Sequence, residues 1–352
     1  MKIKYLIILL FPFIVHSTFS QNYEYKILSQ KGSVLLQRNN SSKWISVKIG
    51  DLIQSKDKIK LENNSYVGLS HVSGKILDIN KAGTYSTTDL YTILQNKKNS
   101  TITGKFVKYV SDQVDNTGGI FASKSQTDNM KSTGAVNRSI ELNAQEGQKI
   151  GNMTGLDKNT SSAIGAFANL IFPSDEKKIK AFLPRTSYLF DDEIDFSWYK
   201  DKDANNYTIY IVDRNDVVVF SKMTNDTSIR INIKNTNLQT GTNYYWYVQG
   251  EDKKSDQYNI YWLTQSEKAN INADIIAIYE EVGNEDTPLI NLILAAFYED
   301  ANIQDKAINS YKKALNMAQN PDEYKRMYGR YLANIGLFES AKKVFDSIQS
   351  SK

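Results

Sequence analysis

The feature that most constrains this fold is an internal repeat close to the C-terminus. Leu294, Ala295, Tyr298, Ala307, Tyr311 and Ala314 recur as Tyr328, Gly329, Leu332, Ala341, Phe345 and Ile348, each displaced by 34 positions. Recurrence at such a period means that one supersecondary unit is used twice and buries its apolar face against its neighbour. Small residues recur as Ala295 with Gly329 and as Ala307 with Ala341, and aromatic ones as Tyr311 with Phe345. The apolar spacing predicts helices over Pro288 to Asp300, Ile303 to Met317, Asp322 to Asn334 and Leu337 to Ile348, with Pro321 opening the third at a first-turn place. Two repeats are fewer than the ~three that usually bury a continuous core. Asn270 to Val282 is therefore expected to add a packing helix: Ala273 lies 34 before Ala307, although Ala277 stands where an aromatic is expected.

These residue classes resemble those of tetratricopeptide repeats, over Pro288 to about Gln349 within a helical unit at 269–349. The resemblance implies a concave groove, lined by the first helix of each repeat, that holds a protein or peptide partner. Carried over one position at a time, the groove falls on Leu289, Leu292, Ala296, Glu299 and Asp300, then on Glu323, Arg326, Arg330, Ala333 and Asn334. Arg326 and Arg330 are four apart and share a helix face. Lysine outnumbers arginine 36 to 7 in the chain, so two guanidinium forks on that face suit carboxylates of a ligand. A solvated face with salt bridges to Glu323 or Glu299 is the alternative.

At the other end, Met1 to Ser20 reads as a charged start, an apolar run from Leu6 to Val15 and a small-residue close, the pattern of a secretory signal cleaved before Gln21. The run is too short to span a bilayer, which takes ~20 residues, and so is the later stretch 163–172. The mature chain is expected to be exported, to the periplasm or outer envelope of a bacterium, with no transmembrane segment left after cleavage.

From Tyr23 to Tyr85 short runs with period two, such as SVLLQ, KIKL and SYVGLSHV, alternate with Gly and Asn turns, which predicts an all-β unit of six or seven strands. Gly32, Trp44, Gly50-Asp51, Asn64-Ser65, Tyr66-Val67-x-Leu69, Gly74-Lys75-x-Leu77 and Gly83 resemble the periplasmic domain of ferric-citrate sensor (FecR-type) proteins. The resemblance implies that fold for 23–115, with two trailing helices near Leu90 to Asn96 and Gly104 to Val114. It does not bring sigma-factor regulation with it, because five residues precede the apolar run. Trp44 is expected in the core and His71 as a structural histidine.

Residues 116–179, polar and rich in Gly, Ser, Thr and Asn, read as a flexible linker, with TGAVNRSIEL as a short strand inside it. The segment 180–265 then gives about six alternating strands, the clearest being Ile194, Phe196 and Trp198 against Asp195 and Ser197. That spacing predicts an immunoglobulin-like β-sandwich. Leu238, Gly241 and Tyr244 resemble the tyrosine corner of fibronectin type III domains. Two sharper features lie within it. Asp201, Asp203, Asn205 and Asn206 imitate the start of a calcium loop but lack its sixth-place Gly and twelfth-place Glu. Tyr245 and Tyr247, with Tyr261, are expected to face outward, where tyrosines can stack on sugars.

Composition bounds the chemistry. The chain has no cysteine and two histidines, His16 and His71, which removes disulfides, thiol nucleophiles and the commonest metal ligands. With 43 Lys+Arg against 39 Asp+Glu, there is no electrostatic case for nucleic acid. Phosphate loops, nucleophile elbows and metal triads are absent from the sequence. The expectation is therefore a multi-domain chain of all-β modules plus an all-α unit, without cofactor, metal or catalytic residues. It would serve as a non-catalytic envelope protein that mediates protein interaction or complex assembly, with glycan or peptidoglycan binding as the alternative.

Overall fold

The computed structural model describes residues 23–96, 101–115, 178–282, 285–319 and 321–348. The signal segment, nearly all of the 116–179 linker and the strand expected in TGAVNRSIEL lie outside them. The described residues form several antiparallel β-sheets and a set of helices, a mixed β and α multi-domain arrangement.

The first unit holds β1 (Tyr23–Lys31), β2 (Val34–Gln37), β3 (Trp44–Ser46), β4 (Leu52–Gln54), β5 (Lys58–Leu61), β6 (Tyr66–His71), β7 (Ile76–Ile79) and β8 (Gly83–Ser86). They make two four-stranded sheets, ordered β4-β1-β6-β7 and β3-β2-β5-β8. Tyr25, Ile27, Leu36, Ile59, Val67 and Leu77 fill the space between them. Eight strands stand where six or seven were expected, because β4 is three residues long, too short to show alternation, and β8 continues from the turn at Gly83. Trp44 is half-buried at a sheet edge, in contrast to its expected core place. Gly32 adopts φ +76°, and a Cβ there would lie 2.7 Å from Ser65 Oγ, the atom that accepts from Ser33 N. The turn therefore requires glycine. Asp57 is buried, and its carboxylate accepts from Arg38 Nη1, Asn39 N and Gln54 N at 2.8 to 2.9 Å, which ties the β2–β3 loop to the β4–β5 turn. Helix α1 (Thr87–Gln95) follows through a capping box of Ser86 and Asp89, and then α2 (Thr101–Asp115).

The second unit comprises β9 (Ala181–Leu183), β10 (Ser187–Leu189), β11 (Glu193–Trp198), β12 (Tyr207–Val212), β13 (Val218–Thr224), β14 (Ser228–Asn232), β15 (Asn243–Gly250), β16 (Lys253–Lys254) and β17 (Tyr258–Trp262). One sheet runs β14-β11-β9 and the other β10-β17-β15-β12-β13, with β16 on β15; β10 lies parallel to β17. The six strands expected are all present, and the additional three, β9, β10 and β16, are two or three residues long. Phe196, Trp198, Ile209, Ile231, Trp246 and Val248 meet between the sheets, with Phe196 edge-on to Trp246 at 5.0 Å. Tyr244 Oη accepts from Gln239 N at 2.9 Å beside buried Leu238, and Gly241 supplies φ +75°.

The helical unit follows: α3 (Gln265–Val282), α4 (Pro288–Asp300), α5 (Gln304–Met317), α6 (Asp322–Asn334) and α7 (Phe338–Asp346). Thr287 caps α4 through Ile290 N, with Pro288 in its first turn. The repeat positions meet as their classes require. A Cβ on Gly329 of α6 would lie 2.7 Å from Phe345 of α7, so glycine permits this crossing, while Tyr311 of α5 packs against Tyr328 and Tyr331 of α6 at 5.6 and 5.4 Å. Among the described residues no helix is long and apolar enough to cross a membrane.

Candidate functional site

The residues expected to line the groove lie on α4 and α6, and the structure covers most of them. Leu289, Leu292 and Ala296 are buried. Helix α2 lies along α4: Phe106 meets Phe297 edge-on at 5.6 Å, and Val107, Val110 and Val114 join the same apolar cluster as α4, α5 and α6. The β unit closes the remainder. Leu289 sits so close to Gly68 of β6 that a Cβ there would lie 2.7 Å from its Cδ2, and Tyr324 Oη of α6 donates to Leu28 O of β1 at 3.1 Å. The groove is thus occupied from within the chain.

Its polar positions are engaged as well. Glu299 accepts from Tyr109 Oη of α2 at 3.2 Å and from Tyr311 Oη of α5 at 2.8 Å. Burial pushes its carboxyl up to about 7, against the opposing pull of the two hydroxyls and of Arg330. Part of the side chain reaches the surface, but the carboxylate itself is enclosed by these three groups. Asp300 pairs with Lys105 of α2 at 2.9 Å. Arg330 is buried on α6, whereas Arg326 reaches Glu323 at 3.8 Å along its own helix, the intrahelical alternative raised by the sequence. Asn334 is exposed and Ala333 buried. The site residues that the repeat pattern could not reveal are therefore Lys105, Phe106 and Tyr109. They are helix-spaced in the sequence, but nothing in the repeat points to a helix some 180 residues upstream.

A second concavity, about 720 Å³, opens between the outer face of the β14-β11-β9 sheet and α5. Asp195, paired through two bonds to Arg230 at 2.6 to 2.7 Å, forms one wall with Asn232; Asp305 and Asn309 form the other, over Leu189 and Ile308. Beside it the two units are joined by Gln304, whose side chain accepts from Arg185 N and donates to Thr186 O, each at 2.9 Å, and by Tyr188 N donating to Asn302 O at 2.8 Å.

The sharper features of the sandwich resolve differently. Lys253 Nζ lies 3.0 Å from Asp201 and 2.9 Å from Asp203, so an ammonium already takes the place of a calcium ion. Among the described residues no group of acidic or histidine side chains has metal-ligand geometry. Tyr245, Tyr247 and Tyr261 do face away from the core. However, the Tyr247 ring is stacked on Tyr210 at 5.1 Å and 18° with Lys254 over it, and Tyr261 packs on Tyr188 while donating to Glu267. Ring faces engaged in this way offer little to a sugar, and the Tyr245 ring is left to present one.

No protein-family model matches the chain, and no curated protein does. Among solved structures it is similar to a β-1,2-glucanase from Parabacteroides distasonis, with 11% identity and a TM-score of 0.18, over 49% of this chain. The chain spans 33% of that protein's length. That neighbour is an enzyme, and the expectation of a chain without catalytic activity is withdrawn on this finding. At such a TM-score the likeness carries no argument about a substrate or reaction here.

Proposed function

We propose that this is an exported bacterial envelope protein that holds a protein partner, with a FecR-like unit and an immunoglobulin-like sandwich buttressing a tetratricopeptide-like pair of helical hairpins. The observation that carries the reading is the groove itself: α4 holds an amphipathic helix through an apolar stripe, a lysine-to-carboxylate pair and a tyrosine-to-carboxylate bond. Helix-in-groove packing of this kind is a recurring mode of peptide recognition. The helical pairs and close Gly329 crossing support the repeat assignment, and the Tyr244 corner with a parallel β10–β17 pair supports the sandwich assignment. The signal-like Met1 to Ser20 supports export.

A photoreactive residue placed at Asn309, on the cleft, and another at Tyr109, on the groove, test the reading in cells that export the protein. A defined protein adduct from either position is expected, with none from Ser221, exposed on β13. Diffuse adducts of equal yield from all three positions would remove it.

A further inference from the structure

The occupant of the groove is a poor helix in its own right. Helix α2 carries Gly104 within its span and the β-branched Thr101, Ile102, Thr103, Val107, Val110 and Val114. Both choices lower helix propensity. Asp112 and Asp115 stand at its C-terminal end, with no basic residue in the last turn, where the helix dipole disfavours negative charge. What holds α2 in helical form is the surface on which it lies. The groove, by contrast, keeps its walls without α2, because α4 and α6 are also fixed to the β unit through Leu289 against Gly68 and through Tyr324 to Leu28.

We propose that α2 is a displaceable occupant, which keeps the groove closed until an amphipathic helix of a partner takes its place. The groove selects that helix by charge. Glu299 and Asp300 now receive a tyrosine hydroxyl and a lysine from α2, so the partner helix carries an aromatic and β-branched stripe flanked by basic and hydroxyl donors; an acidic helix would set like charges against each other. The proposal rests on the reading of α4 to α7 as a peptide-holding unit.

The test uses the full chain, hydrogen exchange read by mass spectrometry, and a synthetic peptide of residues 101–115 carrying a photoreactive group as the probe. The amides of α2 are expected to exchange about 100-fold or more faster than those of α4 and α6, by local opening. Gly104→Ala has open space for its methyl group and should slow α2 alone by about fivefold, the propensity difference between the two residues. Val107→Pro breaks α2 while leaving every residue of α4 and α6 in place and should raise peptide capture about tenfold or more, with crosslinks on α4. Exchange of α2 in step with α4 and α6, with Gly104→Ala slowing all three together, overturns the proposal, and that arm decides even where Val107→Pro fails to fold. Separate opening of α2 with no peptide captured by a folded Val107→Pro chain removes the peptide-holding reading instead, and the proposal with it.

Discussion

The enclosed carboxyl of Glu299 makes a quantitative demand on stability. Its value in the folded chain is about 7, against 4.5 for an ordinary glutamate. Between those limits the folded state binds the proton that the unfolded state has released, so stability is fully present below pH 4.5 and is lost as pH rises through 7. The shift corresponds to about 3 kcal/mol at its upper limit, at about 1.4 kcal/mol per unit. The groups facing Glu299 are Tyr109 from α2, Tyr311 from α5, Arg330 and Tyr331 from α6, and its neighbour Asp300. None of the tyrosines titrates in this window, since burial raises each of them well above 10.

The perturbation is Glu299→Gln, which keeps an acceptor for the two hydroxyls and removes the charge. Urea unfolding followed by circular dichroism at a series of pH values gives the stability of both chains. The wild type is expected to lose up to about 3 kcal/mol relative to the variant between pH 4.5 and 7. Subtracting the curves removes the other groups that titrate nearby: Asp305, raised by burial and of the same sign, and His71, lowered by burial and of the opposite sign. Asp192, held low by Lys234, and Asp195, held low by Arg230, titrate below the window. Parallel curves for wild type and Glu299→Gln would refute the reasoning, because they would mean that the carboxylate is solvated within the groove.

Three further substitutions test the packing that positions this site. Asp57→Ala leaves Arg38 and two loop amides without their acceptor and should destabilise the first β unit by about 3 kcal/mol, read as a lowered urea midpoint; a change below ~0.5 kcal/mol would show the network to be incidental. Gly329→Val sets side-chain atoms against the Phe345 ring and should cost about 2 kcal/mol in the same assay, with the loss relieved in part by Phe345→Leu. Tyr244→Phe removes the bond from Gln239 N and should cost about 1 kcal/mol, seen as a lower thermal midpoint while Trp246 fluorescence at low temperature is unchanged.

How much of this was legible in the sequence depends on the range of each interaction. The helices at Pro288, Gln304, Asp322 and Phe338 and the strand from Glu193 to Trp198 lie where periodicity placed them, since a 3.6 or a 2 period is written locally by burial. The short strands β4, β9, β10 and β16 escaped the same reading: two or three residues cannot display a period, and their pairing is fixed by neighbours in the sheet. The groove positions Leu289, Leu292, Ala296, Glu299 and Asp300 do come together with Arg330 on adjacent helices, because the repeat itself sets that spacing.

What covers them could not be read in the same way. Residues that line an open groove in a longer repeat array are, in a chain with only two repeats, surplus apolar surface. Leu289, Leu292 and Ala296 would expose a continuous patch on α4 if nothing lay against them, and large patches of that kind are rare on isolated proteins. The shortage of repeats therefore had two possible remedies: another helix at the end of the stack, or a cover over the groove. The sequence suggested the first through Ala273, and α3 does pack there, with Ile278 and Val282 buried. The structure adds the second, through α2 and the β unit. The lysine, phenylalanine and tyrosine of α2 are spaced to meet Asp300, Phe297 and Glu299, so the complementarity resides in pairs some 190 residues apart. Alone, α2 reads as an ordinary amphipathic helix and α4 as an apolar one, and only the fold shows that the two belong to each other.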